Sequence, residues 1–158
     1  MDTLSALTLQ YKAALKMLRN AVKKCPEDLW IAGTPPRTFS RIAYHALFYT
    51  HWYLGENSKD FDKWKTDYEG AAALWEPPSG PEFAQKDILA YLDWLNGEVE
   101  TKLAKLDLDD PKSGFSWYKM EKMEFVLMNL RHLQQHVGQL CDRLLDRGID
   151  VKWEGYAG

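Results

Sequence analysis

Residues 119–148 read KMEKMEFVLMNLRHLQQHVGQLCDRLLDRG, and this stretch decides the fold. Apolar side chains recur in it at steps of three and four: Val126, Leu130, Leu133, Val137, Leu140 and Leu144. That spacing lines one face of a helix and does not fit the two-residue alternation of a strand. No proline interrupts the run and Gly148 supplies a stop, so it predicts one long amphipathic helix from about Lys119 to Arg147. A second row, Phe125, Met128, His132 and His136, flanks the apolar stripe. Arg131, Gln134 and Asp142 fall on the solvated side.

Three more segments share this period. Thr3 to Lys24 places Leu4, Leu7, Tyr11, Leu15, Leu18 and Val22 on one face, and Cys25-Pro26 ends it, since a residue before proline avoids the helical region. After the punctuation Gly33-Thr34-Pro35-Pro36, RTFSRIAYHALFYTHWYLG predicts a helix from about Arg37 to Leu54, with Thr38 or Ser40 as cap and Gly55 as stop. It is apolar on most sides, which predicts burial in the core or against a second subunit. Ala84 to Leu106 repeats the pattern with Ile88, Leu92, Leu95, Val99, Leu103 and Leu106; Gly97 weakens it without breaking it.

Between the second and third helices lies a long connection, Glu56 to Phe83, punctuated by Gly70, Pro77, Pro78, Gly80 and Pro81. Phe61, Trp64, Tyr68 and Trp75 make it too aromatic for a solvated linker, and it is expected to pack over one end of the helices. The turn Leu108 to Gly114 is short, so the third and fourth helices are expected to be antiparallel neighbours. The tail, Ile149 to Gly158, is expected to lie on the surface through Val151 and Trp153. The fold class is therefore all-α: a four-helix bundle in one domain, residues 1–158, with a long aromatic-rich connection between helices two and three. An up-down-up-down path and a crossover both remain open.

Composition narrows the function classes. With 46% apolar and 27% charged residues, the 158-residue chain has the balance of a globular domain with a real core. A net charge of −3 and the lack of a basic stripe argue against nucleic acid or an anionic membrane as the main partner. No apolar run reaches the roughly 18–20 residues of a membrane span. Met1-Asp2-Thr3-Leu4 does not begin a secretory signal, which points to the cytoplasm. Cys25 and Cys141 read as free thiols in a reducing compartment. The seven Trp and eight Tyr fit a core, a subunit interface or an aromatic-walled pocket equally well.

The chain has four histidines, and His132 and His136 stand at i and i+4. Four residues advance a helix by about 400°, so the rings lie about 40° apart, one turn above the other, and can meet one ion. Two half-buried histidines bonded to neighbours are an equally good reading of that spacing alone. A third ligand must come from another helix. His45, among Ile42, Phe48, Tyr49 and Trp52, is flanked for the core and needs a polar partner. His51 is the other candidate; six positions turn the helix by about 600°, so the two point about 120° apart and cannot serve one ion together. His51, near the helix end, suits an interface or a supporting role.

The helix-two histidine in RIAYHALFYTHWYLG followed by MNLRHLQQHVGQLCDRLLDRG resembles the DinB-like (DinB/YfiT) superfamily across nearly the whole chain. The segment His132-x-x-x-His136-x-Gly138-Gln139-Leu140 carries most of the resemblance. It implies a divalent ion on His45, His132 and His136, a homodimer, and relatives that include bacillithiol S-transferases and mycothiol-dependent maleylpyruvate isomerase. Gln135 stands where relatives often carry a further histidine, and no family role transfers to His51.

Three neutral imidazoles leave coordination positions open, as in a reactive rather than a structural site. Imidazole suits zinc, nickel, copper or iron; zinc or nickel is expected. Such an ion can bring the pKa of bound water towards about 7 or hold a thiol as thiolate, so the expected function is a metal-dependent hydrolase or thiol S-transferase acting on a small molecule. No obvious general base accompanies it: Glu124 turns to solvent, and Asp60, Asp67 and Glu69 in the connection are candidates that read more readily as solvated surface charges. Tyr49 and Gln139, one turn from proposed ligands, are candidates to support them. Cys141 belongs with the apolar stripe and is rejected as a nucleophile. The competing class is a non-catalytic, metal-stabilised or apo bundle acting through dimerisation, with Trp52 and Tyr53 as its interface.

Overall fold

In a computed structural model, which describes residues 1–76 and 80–156, the chain folds into five helices with no strand among the described residues. α1 (Thr3–Lys24) starts where the Asp2 carboxylate accepts the Ser5 amide proton at 2.7 Å, and stops at extended Cys25 before Pro26. Its Tyr11, Leu15, Leu18 and Val22 are fully buried. α2 (Glu27–Trp30) is a single turn, too short to leave a periodic trace in the sequence, and Trp30 Nε1 anchors it to the Phe83 carbonyl at 2.7 Å. α3 (Phe39–Tyr53) is capped by the Thr38 side chain. Ten of the twelve residues Phe39–Thr50 are buried, all but Phe48 and Tyr49, as expected of a helix apolar on most sides.

α4 (Gln85–Lys105) and α5 (Lys122–Leu145) complete the set. α5 starts later than the periodicity suggested, because residues 113–120 form a loop around the Lys122 ammonium, which donates to the carbonyls of Glu56 and Ser113. Gly148, with φ of 71°, makes the left-handed stop after α5.

Directions follow from cross-helix contacts. Arg19 pairs with Asp93 and Lys12 with Glu100, so α1 and α4 run antiparallel. Tyr11 donates to the Val126 carbonyl and Gln134 reaches Met17, so α1 and α5 run parallel. Asn129 donates to the Thr50 carbonyl and Arg143 to that of Arg37, so α3 and α5 run antiparallel. Tyr44 stacks on Phe83, whereas His51 meets Tyr91 and Trp94, so α3 and α4 run parallel. The chain is thus not an up-down-up-down path. α1 packs on α4 and α5, and α3 packs on the same two. The expectation that the helices now labelled α4 and α5 are neighbours is therefore corrected: they are antiparallel but lie across the molecule from each other, because residues 106–121 are long enough to cross its end.

The parallel pair α3 and α4 requires the long connection to travel back beside α3. Moving along it, Asp67 accepts from the Tyr44 hydroxyl at 2.5 Å, the Ala72 carbonyl from His45 at 2.6 Å, and the Gly80 carbonyl from Arg41 at 2.6 Å. It lies along the flank of α3 instead of capping one end, and it contains no helix among its described residues. Pro77 and Pro78, counted above as punctuation, lie outside the described residues, as do positions 157–158 of the expected domain. At the connection's far end, buried Arg41 bonds Glu82, which also accepts from Thr38 and Ser40. In the tail, Val151 is buried and Trp153 is exposed. No helix among the described residues is long and apolar enough to cross a membrane.

Candidate metal centre

The antiparallel packing of α3 on α5 sets His45 opposite His132 and His136. Nε2 of His45 lies 3.1 Å from Nε2 of His132, and Nε2 of His136 lies 3.0 Å from the same atom. The ligand atoms of all three fall within 4.8 Å of one another. Tetrahedral zinc with Zn–N bonds of about 2.0–2.1 Å separates its nitrogens by about 3.3 Å, close to the distances from His132 to each of the other two.

Hydrogen bonds on the far side of two rings settle which nitrogens carry lone pairs. His45 Nδ1 donates to the Ala72 carbonyl, which can only accept, so Nε2 of the neutral ring is a bare lone pair. Gln139 presents its Oε1 to Nδ1 of His136 at 2.8 Å, with the same consequence one helix away. Two lone pairs are thus directed at the Nε2 of His132. A single proton there serves one of them well; a cation between the rings serves all three. Nδ1 of His132 is buried with no hydrogen-bond partner among the described residues.

Charge on the rings is disfavoured. Burial, reinforced by the other two rings and by Arg37, pushes His45 down to about 3 despite its bond to Ala72. Burial, then His136 and Arg131, pushes His132 down to about 4. Burial lowers His136 as well, against the opposing pull of Gln139 and with help from Arg37. Neutral imidazole is the form a metal takes, so the donor set fits a borderline ion such as zinc or nickel. Among the described residues no carboxylate belongs to the cluster.

The other residues singled out from sequence fall as follows. His51 is buried on a different side of α3, where its Nδ1 meets the Tyr91 hydroxyl at 2.8 Å between Phe61 and Trp94. Tyr49 makes no hydrogen bond to any of the three histidines; its ring lies against His45 and His132 and walls a cavity beside them. Asp67 is not a solvated charge: its side chain is 4% exposed, held by Tyr44 and by Lys63 at 3.2 Å. Asp60 accepts from the Glu56 amide, and Glu69 and Glu124 are exposed. Cys25 and Cys141 are free thiols, and burial pushes both up, Cys25 to about 12, so neither is poised as a thiolate. Tyr53 is buried and Trp52 half-buried, and their rings pack against Phe61, Phe115, Trp117 and Phe125 of the same chain.

Several site residues escaped the sequence reading. The Ala72 carbonyl leaves no signal, since any residue carries one. Trp75 and Tyr118 arrive from irregular segments. Tyr53 and Met128 had a signal: His45, Tyr49 and Tyr53 form one i, i+4 row, and Met128 precedes His132 by one turn. Compared with family models, with curated proteins and with solved structures, the chain matches none.

Proposed function

We propose that the chain is a divalent-metal-dependent enzyme, a hydrolase or a thiol S-transferase, built as a four-helix bundle of the DinB-like kind. His45, His132 and His136 hold one zinc or nickel ion. The observation that carries this reading is the convergence of three Nε2 atoms, two of them fixed as lone pairs by Ala72 and Gln139. A divalent ion held there supplies Lewis acidity, lowering the pKa of bound water towards about 7 or holding a thiol as thiolate.

The chain's own groups prepare the site for that chemistry. Ala72 and Gln139 hold protons at Nδ1 and orient the rings. Because all three donors are neutral, they leave the charge of the ion uncancelled. Arg37 and Arg131, whose fields reach the rings, add to the positive potential and favour an anionic reactant such as hydroxide or thiolate. The rings of Tyr49 and Trp75 pack beside His45 and line the approach to it.

Elemental analysis of the purified protein and of His45→Ala, His132→Ala and His136→Ala tests the site. One ion per chain, lost in each variant, supports it; metal kept in all three overturns it. Loaded protein assayed with low-molecular-weight thiols and electrophiles, and separately with ester and amide substrates, divides transfer from hydrolysis. Inactivity in both arms favours a metal-stabilised bundle without catalysis.

A further inference from the structure

Beside the three histidines lies a cavity of about 290 Å³, with His45 and His132 on its floor. Its walls are Tyr49, Tyr53, Trp75, Tyr118 and Met128. None of these seven side chains is a carboxylate, a lysine or an arginine. Four of the five wall residues are aromatic, and they come from three separate parts of the chain: α3, the long connection, and the loop before α5. Tyr49 packs on Tyr53 at 5.3 Å between centroids, and Tyr53 meets Tyr118 edge-on at 5.7 Å. Trp75 stands edge-on to the His45 ring at 6.5 Å and is 68% exposed, so it sits at the mouth and not in the core.

Size and chemistry select a ligand. An apolar protein cavity of about 150 Å³ admits benzene, so this volume accommodates one ring with substituents. Aromatic walls favour a flat π-system, which adds ring–ring contacts to simple burial. Uncharged walls disfavour an ionised group at the end of the ligand remote from the histidines, because its desolvation finds no partner. The phenols offer hydrogen bonds to an oxygen or sulfur atom.

We propose that this cavity binds the substrate as a single aromatic ring bearing an oxygen or sulfur substituent directed at His45 and His132, and without an ionised group at its far end. This rests on the proposed metal centre for the chemistry, but not for the binding of the ring. Tyr49, Trp75 and Tyr118 fix the plane of the ring and leave its substituent beside His45 and His132.

The test is ligand titration of the full chain, followed by nuclear magnetic resonance, with phenol, cyclohexanol and 4-hydroxybenzoate as probes. It is run on metal-loaded protein and on protein stripped with a chelator. Phenol is expected to bind about tenfold more tightly than either other probe, a ratio equivalent to ~1.4 kcal/mol, in both preparations. Trp75→Ala, at an exposed position, lowers phenol affinity and erases most of the preference. Met128→Trp fills the cavity and abolishes binding, whereas Trp153→Ala, at the remote exposed tail, changes nothing. Equal affinity for phenol and cyclohexanol, or a preference unchanged by Trp75→Ala, overturns the proposal. The two readings fail separately: a preference for phenol in a chain that takes up no metal sinks the metal centre alone, and metal uptake with no such preference sinks the ring site alone.

Discussion

The carbonyl oxygen of Ala72 accepts the Nδ1 proton of His45 at 2.6 Å, so one backbone atom of the long connection decides which nitrogen α3 turns towards α5. The ring is fixed from outside its own helix, and the connection becomes part of the site it covers. Gln139 performs the same task for His136 from within α5.

Gln139 is the half of this arrangement open to mutation. Gln139→Leu removes the acceptor for Nδ1 of His136, and metal affinity is expected to fall about 10–100-fold, as for other lost ligand-orienting bonds. Competition against a chromophoric chelator measures this, and circular dichroism should show unchanged helix content. Undiminished affinity contradicts the orienting role.

His51 provides the control for ligand choice. His51→Ala should retain metal fully, since the ring lies on another side of α3. It should also cost about 1–3 kcal/mol of stability through the unpaired Tyr91 hydroxyl, with the vacated volume adding to that. Urea unfolding and metal content on the same preparation check both halves.

Three buried histidines and the half-buried His132 set an acid limit on the metal-free fold. Burial holds His45 and His51 at about 3, His132 at about 4, and lowers His136, all beneath the value near 6.5 of an unfolded chain. Between those limits the unfolded state binds more protons, so stability is fully present above about pH 6.5 and is lost as pH falls through the window towards 3. Chelator-treated protein should show a urea midpoint that declines steadily from pH 6.5 to about 4.5, before most carboxylates titrate. A flat midpoint across that range contradicts neutral burial of these rings.

What the sequence reveals depends on how local the determinant is. Periods of three and four residues locate α1, α3, α4 and α5, because each helix writes its buried face into its own sequence. The angular argument separates His45 from His51 for the same reason: rotation along one helix is fixed by geometry. Nothing local reports that α4 lies across from α5, that the connection runs back along α3, or that Tyr118 reaches the cavity. The enclosure of Asp67 is not legible either, because its hydrogen-bond partner Tyr44 lies 23 positions away and no pattern within the connection encodes that contact.

Arg41 ties the far end of the connection to α3, and Glu82 is its counter-charge. Glu82→Ala leaves a cation 1% exposed without its carboxylate and strips the acceptor from Thr38 and Ser40. A loss of about 2–3 kcal/mol is expected, less than the ~3–5 kcal/mol for a fully buried pair because Glu82 is partly exposed. Hydrogen exchange should accelerate across residues 68–76, which hold Ala72; unchanged exchange there would place the anchor elsewhere.

Crystals of the chain soaked with zinc and examined by anomalous diffraction at the zinc edge test the metal centre at atomic level. One strong peak is expected between α3 and α5, about 2.0–2.1 Å from Nε2 of each of His45, His132 and His136. No peak at that position, or an ion held elsewhere while these three rings bond only to one another, would contradict the metal-dependent reading.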